Sequence, residues 1–91
     1  MKADKIFEKL GYEKTHEGKT VIDYERKNEH FGFTQVIEFC HKSSGNHLVL
    51  SYQKGVNKYG FNNNVGLTLA EIKAINKKIK ELKWHKRGNR K

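Results

Sequence analysis

The segment that leaves this chain the fewest ways to fold is "GLTLAEIKAINKKIKELKW". Thr68 and Glu71 stand three residues apart, the T-x-x-E spacing of a capping box, and Leu67 precedes the cap where it can staple onto Ile72. A helix therefore starts at Thr68. Leu69, Ile72, Ile75, Ile79 and Leu82 follow at spacings of three and four, giving a continuous apolar stripe. Such a helix gains most of its stability from packing, so the rest of the chain must supply an apolar surface.

Three strand-like runs supply it. Ile22 and Tyr24 alternate with Asp23 and Glu25 in "TVIDYER"; Phe33, Ile37 and Phe39 oppose Thr34, Val36, Glu38 and Cys40 in "FTQVIEFCH"; Leu48, Leu50 and Tyr52 share a face in "HLVLSYQ". The connectors "KNEHFG" and "KSSGN" have the Gly, Asn and Ser of tight reversals, which makes neighbouring antiparallel pairing the simplest topology. At the start, Ala3, Ile6, Phe7 and Leu10 have helical spacing, with Gly11 as the stop. The polar "EKTHEGK" that follows Tyr12 reads as a turn or loop.

The expected fold is thus α+β in the order α-β-β-β-α, a three-stranded antiparallel meander with both helices on one face. Tyr59 and Phe61 alternate within "KGVNKYGFNNNVG" and form a candidate short fourth strand. With 91 residues there is room for one domain, expected to span residues 1–84, followed by a flexible basic tail over 85–91. Cys40 is the single cysteine, and neither a signal-peptide core nor an apolar run of membrane-spanning length is present. The expectation is a soluble, cytoplasmic protein.

The formal net charge is +9, and it is polarised. Residues 1–50 carry eight basic and eight acidic side chains; residues 51–91 carry eleven basic and two acidic. Polarised charge of this kind points to an acidic partner. Lys73, Lys77, Lys80 and, if the helix continues, Trp84 fall in one sector away from the apolar stripe, with Lys78 to one side. Lys86, Arg87 and Arg90 extend the basic set into the tail. Lysines at such spacing neutralise phosphates without reading bases. The same lysines also suit a solvated helix face near a negative dipole end, and Trp84 suits either a stacking contact or the end of the core.

Other chemistry is poorly supplied. Cys40 and His41 are strand neighbours and point to opposite faces, so they cannot act as nucleophile and base. His41 and His47 can approach across the "KSSGN" hairpin but lack a third ligand, so neither a metal nor a cofactor is expected. Asp23 and Glu25 read as the solvated side of a sheet, and "GFNNNVGLTLAE" lacks the lysine and spacing of a phosphate-binding loop. The chain is not expected to be an enzyme.

Leu10, Gly11, Tyr12, Glu13 and Lys14, together with Leu69, Glu71, Ile72, Ala74, Ile75, Asn76, Lys77, Lys78, Glu81, Leu82 and Trp84, resemble the ends of small phage and prophage proteins of Gram-positive bacteria. Those sequences usually carry glycine where Lys83 stands. The resemblance implies a phage-type accessory protein, of which many inhibit host defence systems such as CRISPR nucleases. The α-β-β-β-α order is also similar to the double-stranded RNA-binding domain, although that domain concentrates its lysines at the start of the last helix, which here reads "LTLAE". The expected partner is therefore nucleic acid or a ribonucleoprotein of host defence. A host protein bound through the sheet face or an edge strand, or a homodimer built on Val21, Val36 and Val49, is the alternative.

Overall fold

The computed structural model describes residues 1–29, 32–55 and 66–84. Helix α1 (Ala3–Lys9) is followed by strands β1 (Glu13–Glu17), β2 (Val21–Asn28), β3 (Phe33–Cys40) and β4 (Leu48–Lys54), then helix α2 (Leu69–Leu82). The strands form one antiparallel sheet in the order β1-β2-β3-β4. The fold is α+β, with the fourth strand at Glu13–Glu17. The candidate strand at Tyr59 and Phe61 lies outside the described residues.

β1 occupies the segment expected to be a turn or loop. It carries no apolar alternation because it is polar on both faces: Lys14 reaches Asp4 and Glu17 at 2.8 Å each, and the register shifts between Lys14 and His16. A bulged, charged edge strand of this kind gives no period-two signal.

α1 stops as its sequence directs. Gly11 has φ +93°, and a Cβ there would lie 3.1 Å from Cδ of Arg26, so glycine satisfies both the left-handed turn and the close approach. The chain then returns Tyr12 to the core, where Phe7 stacks on Tyr24 with centroids 4.0 Å apart and meets Tyr12 and Phe39 edge-on. Ile22, Tyr24, Ile37 and Phe39 give the sheet its covered face, and Ala3, Phe7, Ala74 and Ile75 come down from the helices. Fully burying such side chains contributes roughly 1.5–3 kcal/mol each for the larger ones.

The helices run antiparallel across this face, since Ala3 N–H donates to Glu81, Asp4 meets Lys78, and Tyr12 Oη donates to Glu71. α2 covers only the later part of the stripe that its spacing predicts, Ile75, Ile79 and Leu82, and leaves Leu69 and Ile72 exposed. Glu71, Ala74, Ile75 and Lys78 are buried, with Ile79 and Leu82 partly covered, whereas Leu69 is 77% exposed. At about 100° per residue Leu69 lies roughly 160° from Glu71, so the helix cannot bury both. The polar partners of Glu71 decide which.

Strand parity also differs from expectation at β4. Val49 pairs with Phe39 and therefore faces the helices, while Leu48, Leu50 and Tyr52 share the outer face with Cys40, Glu38 and Val36. Val49 leaves the apolar set proposed for Val21 and Val36, and the two leucines join it. Val36 stays buried on that outer face: the Glu25–Lys54 ion pair, 2.8 Å long, joins β2 to β4 across β3.

Candidate anionic-partner interface

α2 is anchored at its start. Thr68 Oγ1 accepts from Glu71 N–H at 3.1 Å, and Glu71 Oε1 accepts from Thr68 N–H at 2.9 Å, completing the capping box. The other carboxylate oxygen of Glu71 accepts from Tyr12 Oη and Arg26 Nη2, each at 2.9 Å. Arg26 also donates to the Leu10 carbonyl and to Gln35, and lies over the Tyr12 ring at 4.4 Å. One buried carboxylate thereby ties α2 to α1 and to the sheet. Sequence reading recognised its capping role alone, because Tyr12 and Arg26 are 59 and 45 residues away in the chain.

Lys73, Lys77 and Lys80 are exposed along the opposite side of α2, as their spacing predicts. Their Cα atoms climb about 6 Å and then about 4.5 Å along the axis, so the three ammonium groups form a short linear array. Lys2 joins it, since Lys2 and Lys77 line one shallow depression with Met1 and Glu81. No ion pair within 4.0 Å engages Lys2, Lys73, Lys77, Lys80 or Lys83 among the described residues.

Lys78 does not belong to the array. Its residue is 6% exposed, with Nζ 3.4 Å from Asp4 and 5.8 Å from the centroid of the Tyr24 ring. It sits on the buried side because Asp4 offers it a partner. Asp4 also accepts from Lys14 and from Tyr24 Oη. Burial pushes its carboxyl upward, but those hydrogen bonds and the Lys78 and Lys14 charges prevail and hold it at about 2.

Trp84 also leaves the lysine sector. The helix ends at Leu82, and Lys83 takes the left-handed conformation with φ 61° and ψ 19°, turning the chain back to the sheet. Trp84 then packs edge-on against His41, with centroids 4.8 Å apart. His41 and His47 do meet across the hairpin, at 4.4 Å. Nδ1 of His47 accepts from Lys42 N–H, which leaves Nε2 to donate to the Trp84 carbonyl at 3.1 Å. The pair is a structural clasp, and no third metal-ligating side chain joins it among the described residues. Lys86, Arg87 and Arg90 lie outside the described residues.

The outer face of the sheet holds a cluster of carboxylates. On the outer face of the sheet Asp23 pairs in register with Glu38, and Glu25 lies one pleat away. Burial and the Glu38 charge push the Asp23 carboxyl up, and its Oδ1 is buried without a hydrogen-bond partner. Tyr52 Oη donates to Glu38 at 3.2 Å. The sequence placed Asp23 and Glu25 on one face but not Glu38 against Asp23, which depends on the register of β2 on β3. The exposed lysines of α2 thus lie on the helix side and the Asp23–Glu38 pair beneath the sheet, where Glu25 is matched by Lys54.

No helix among the described residues is long and apolar enough to cross a membrane. No family model, curated protein or solved structure matches the chain.

Proposed function

We propose that the protein is a sequence-independent nucleic-acid-binding protein that presents Lys73, Lys77 and Lys80, with Lys2 beside them, to consecutive phosphates. The observation that carries this reading is the exposed array itself, free of carboxylate partners among the described residues. Lysine ammonium groups act as point charges, so they hold a phosphate backbone without fixing a base sequence. The Asp23–Glu38 pair beneath the sheet makes that face the less attractive one to a polyanion and favours the helix side. The role is binding, without catalysis. The resemblance to phage-type accessory proteins favours a nucleic-acid-containing host defence complex as the natural setting.

Fluorescence anisotropy with labelled 20-nucleotide DNA and RNA duplexes of unrelated sequence tests the reading. Affinities that are similar across sequences and fall steeply from low to physiological salt are expected. Absence of binding at low salt, or binding that stays flat across that range, contradicts it.

A further inference from the structure

A second binding surface is formed by groups that the lysine array does not use. Between β4 and the C-terminal half of α2 lies a cavity of about 150 Å³ lined by Phe39, Val49, Ile79, Leu82 and Trp84, with His47 and Leu48 at its mouth. A volume of this size with mostly apolar walls has room for a benzene-sized group. Its rim remains apolar: Leu48 and Val49 are 44% and 39% exposed on a strand with no neighbour beyond it among the described residues. On α2, Ile72 is 39% exposed and lies about 20° from Ile79 around the axis, prolonging the same flank.

The charge around this groove has one sign. Lys83 lies beside its α2 wall, and Lys42 adjoins His47 at the hairpin. The α2 carboxylates are directed elsewhere, Glu81 to the Ala3 amide and Glu71 into the core. Glu38 belongs to the outer face with Tyr52. An apolar slot beside an edge strand, rimmed by cations, suits an extended segment that can lie along β4 and insert one side chain. A nucleobase would find few polar groups there, since both ring nitrogens of His47 are already engaged.

We infer that the β4–α2 groove docks an extended acidic peptide segment through one leucine- or phenylalanine-sized side chain inserted against Trp84. The site is independent of the phosphate-binding array, and either can exist without the other. The inserted side chain supplies the tight contact, and the flanking carboxylates supply attraction and orientation.

Trp84 is the single tryptophan of the chain, so its emission reports occupancy of this cavity directly. The full chain is titrated with acetylated, amidated heptapeptides of three Asp or Glu on either side of a central Leu, Ile, Met or Phe, with Ala-centred and Lys-flanked peptides as comparisons. At least one apolar-centred acidic peptide is expected to shift the emission and to bind about tenfold or more tightly than the Ala-centred peptide. The Lys-flanked peptide should bind at least tenfold more weakly. Val49→Gln should weaken the best peptide severalfold, while Leu50→Gln, on the outer face, should not. Equal binding of apolar-centred and Ala-centred peptides, an unshifted Trp84, or an unaffected Val49→Gln variant would overturn the proposal. So would an emission shift produced by raising the protein concentration alone, which would make a second copy the occupant.

Discussion

Glu71 shows how much one residue can carry when it is both a cap and a core group. It closes the capping box with Thr68 and accepts from Tyr12 and Arg26 while only 2% exposed. Thr68→Ala removes a cap alone and should cost about 1 kcal/mol. Glu71→Ala also takes the carboxylate from Arg26, which keeps Leu10 and Gln35, and leaves the Tyr12 hydroxyl without its acceptor, so about 3 kcal/mol is expected. Urea midpoints of the two variants measure the difference, and equal losses would show that the Arg26 contact contributes nothing. The capping half of this arrangement was legible because its partners are three residues apart. The other half requires tertiary structure.

Two carboxylates give the fold opposing pH dependences. Asp4 titrates at about 2 in the folded chain against an ordinary 3.8, so its contribution is complete above about pH 4 and is lost as the pH falls toward 2. Asp23 is shifted upward by burial and by Glu38. Its contribution is present below its ordinary value and is lost as the pH rises through the folded one. Asp23→Asn should therefore raise the urea midpoint at pH 7, where an amide can donate to Glu38, and have a smaller effect at pH 3.5. A variant no more stable than the parent at pH 7 contradicts the assignment.

At the scale of elements, α2 was legible in its start and in the exposure of Lys73, Lys77 and Lys80, but not in its rotation or its end. Spacing alone favours burying Leu69 and Ile72, yet the partners offered by Tyr12, Arg26 and Asp4 draw Glu71 and Lys78 inward instead. A hydrophobic pattern cannot register that competition, because it scores every charge as a surface residue. β1 escaped notice for the converse reason: an edge strand that is polar on both faces has no pattern to score. The end of α2 offers a direct test. Lys83 is a non-glycine residue in the left-handed region, which costs roughly 1–2 kcal/mol for an L-amino acid. Lys83→Gly should raise the thermal midpoint, with a gain of up to about 1 kcal/mol after the flexibility of unfolded glycine is counted. A lower midpoint would show that the Lys83 side chain stabilises the turn toward Trp84.

At the scale of the molecule, the +9 charge matters less than its placement. The antiparallel helix pair sets Lys2 beside the α2 array, and the sheet collects Asp23, Glu25 and Glu38 on the far side. That polarity was visible as a contrast between the two parts of the sequence, but the removal of Lys78 and Trp84 from the array was not. Lys78→Gln should therefore alter stability more than binding. The lysine array itself is tested most directly by the salt dependence of duplex DNA binding, compared between the parent chain and the triple variant Lys73→Gln, Lys77→Gln, Lys80→Gln. Each phosphate contact contributes about 0.9 to the slope of log K against log salt, so the triple variant should lose about 2.7 from the magnitude of that slope, equally for unrelated sequences. An unchanged slope in a folded triple variant would contradict the proposal that these three lysines hold the phosphates.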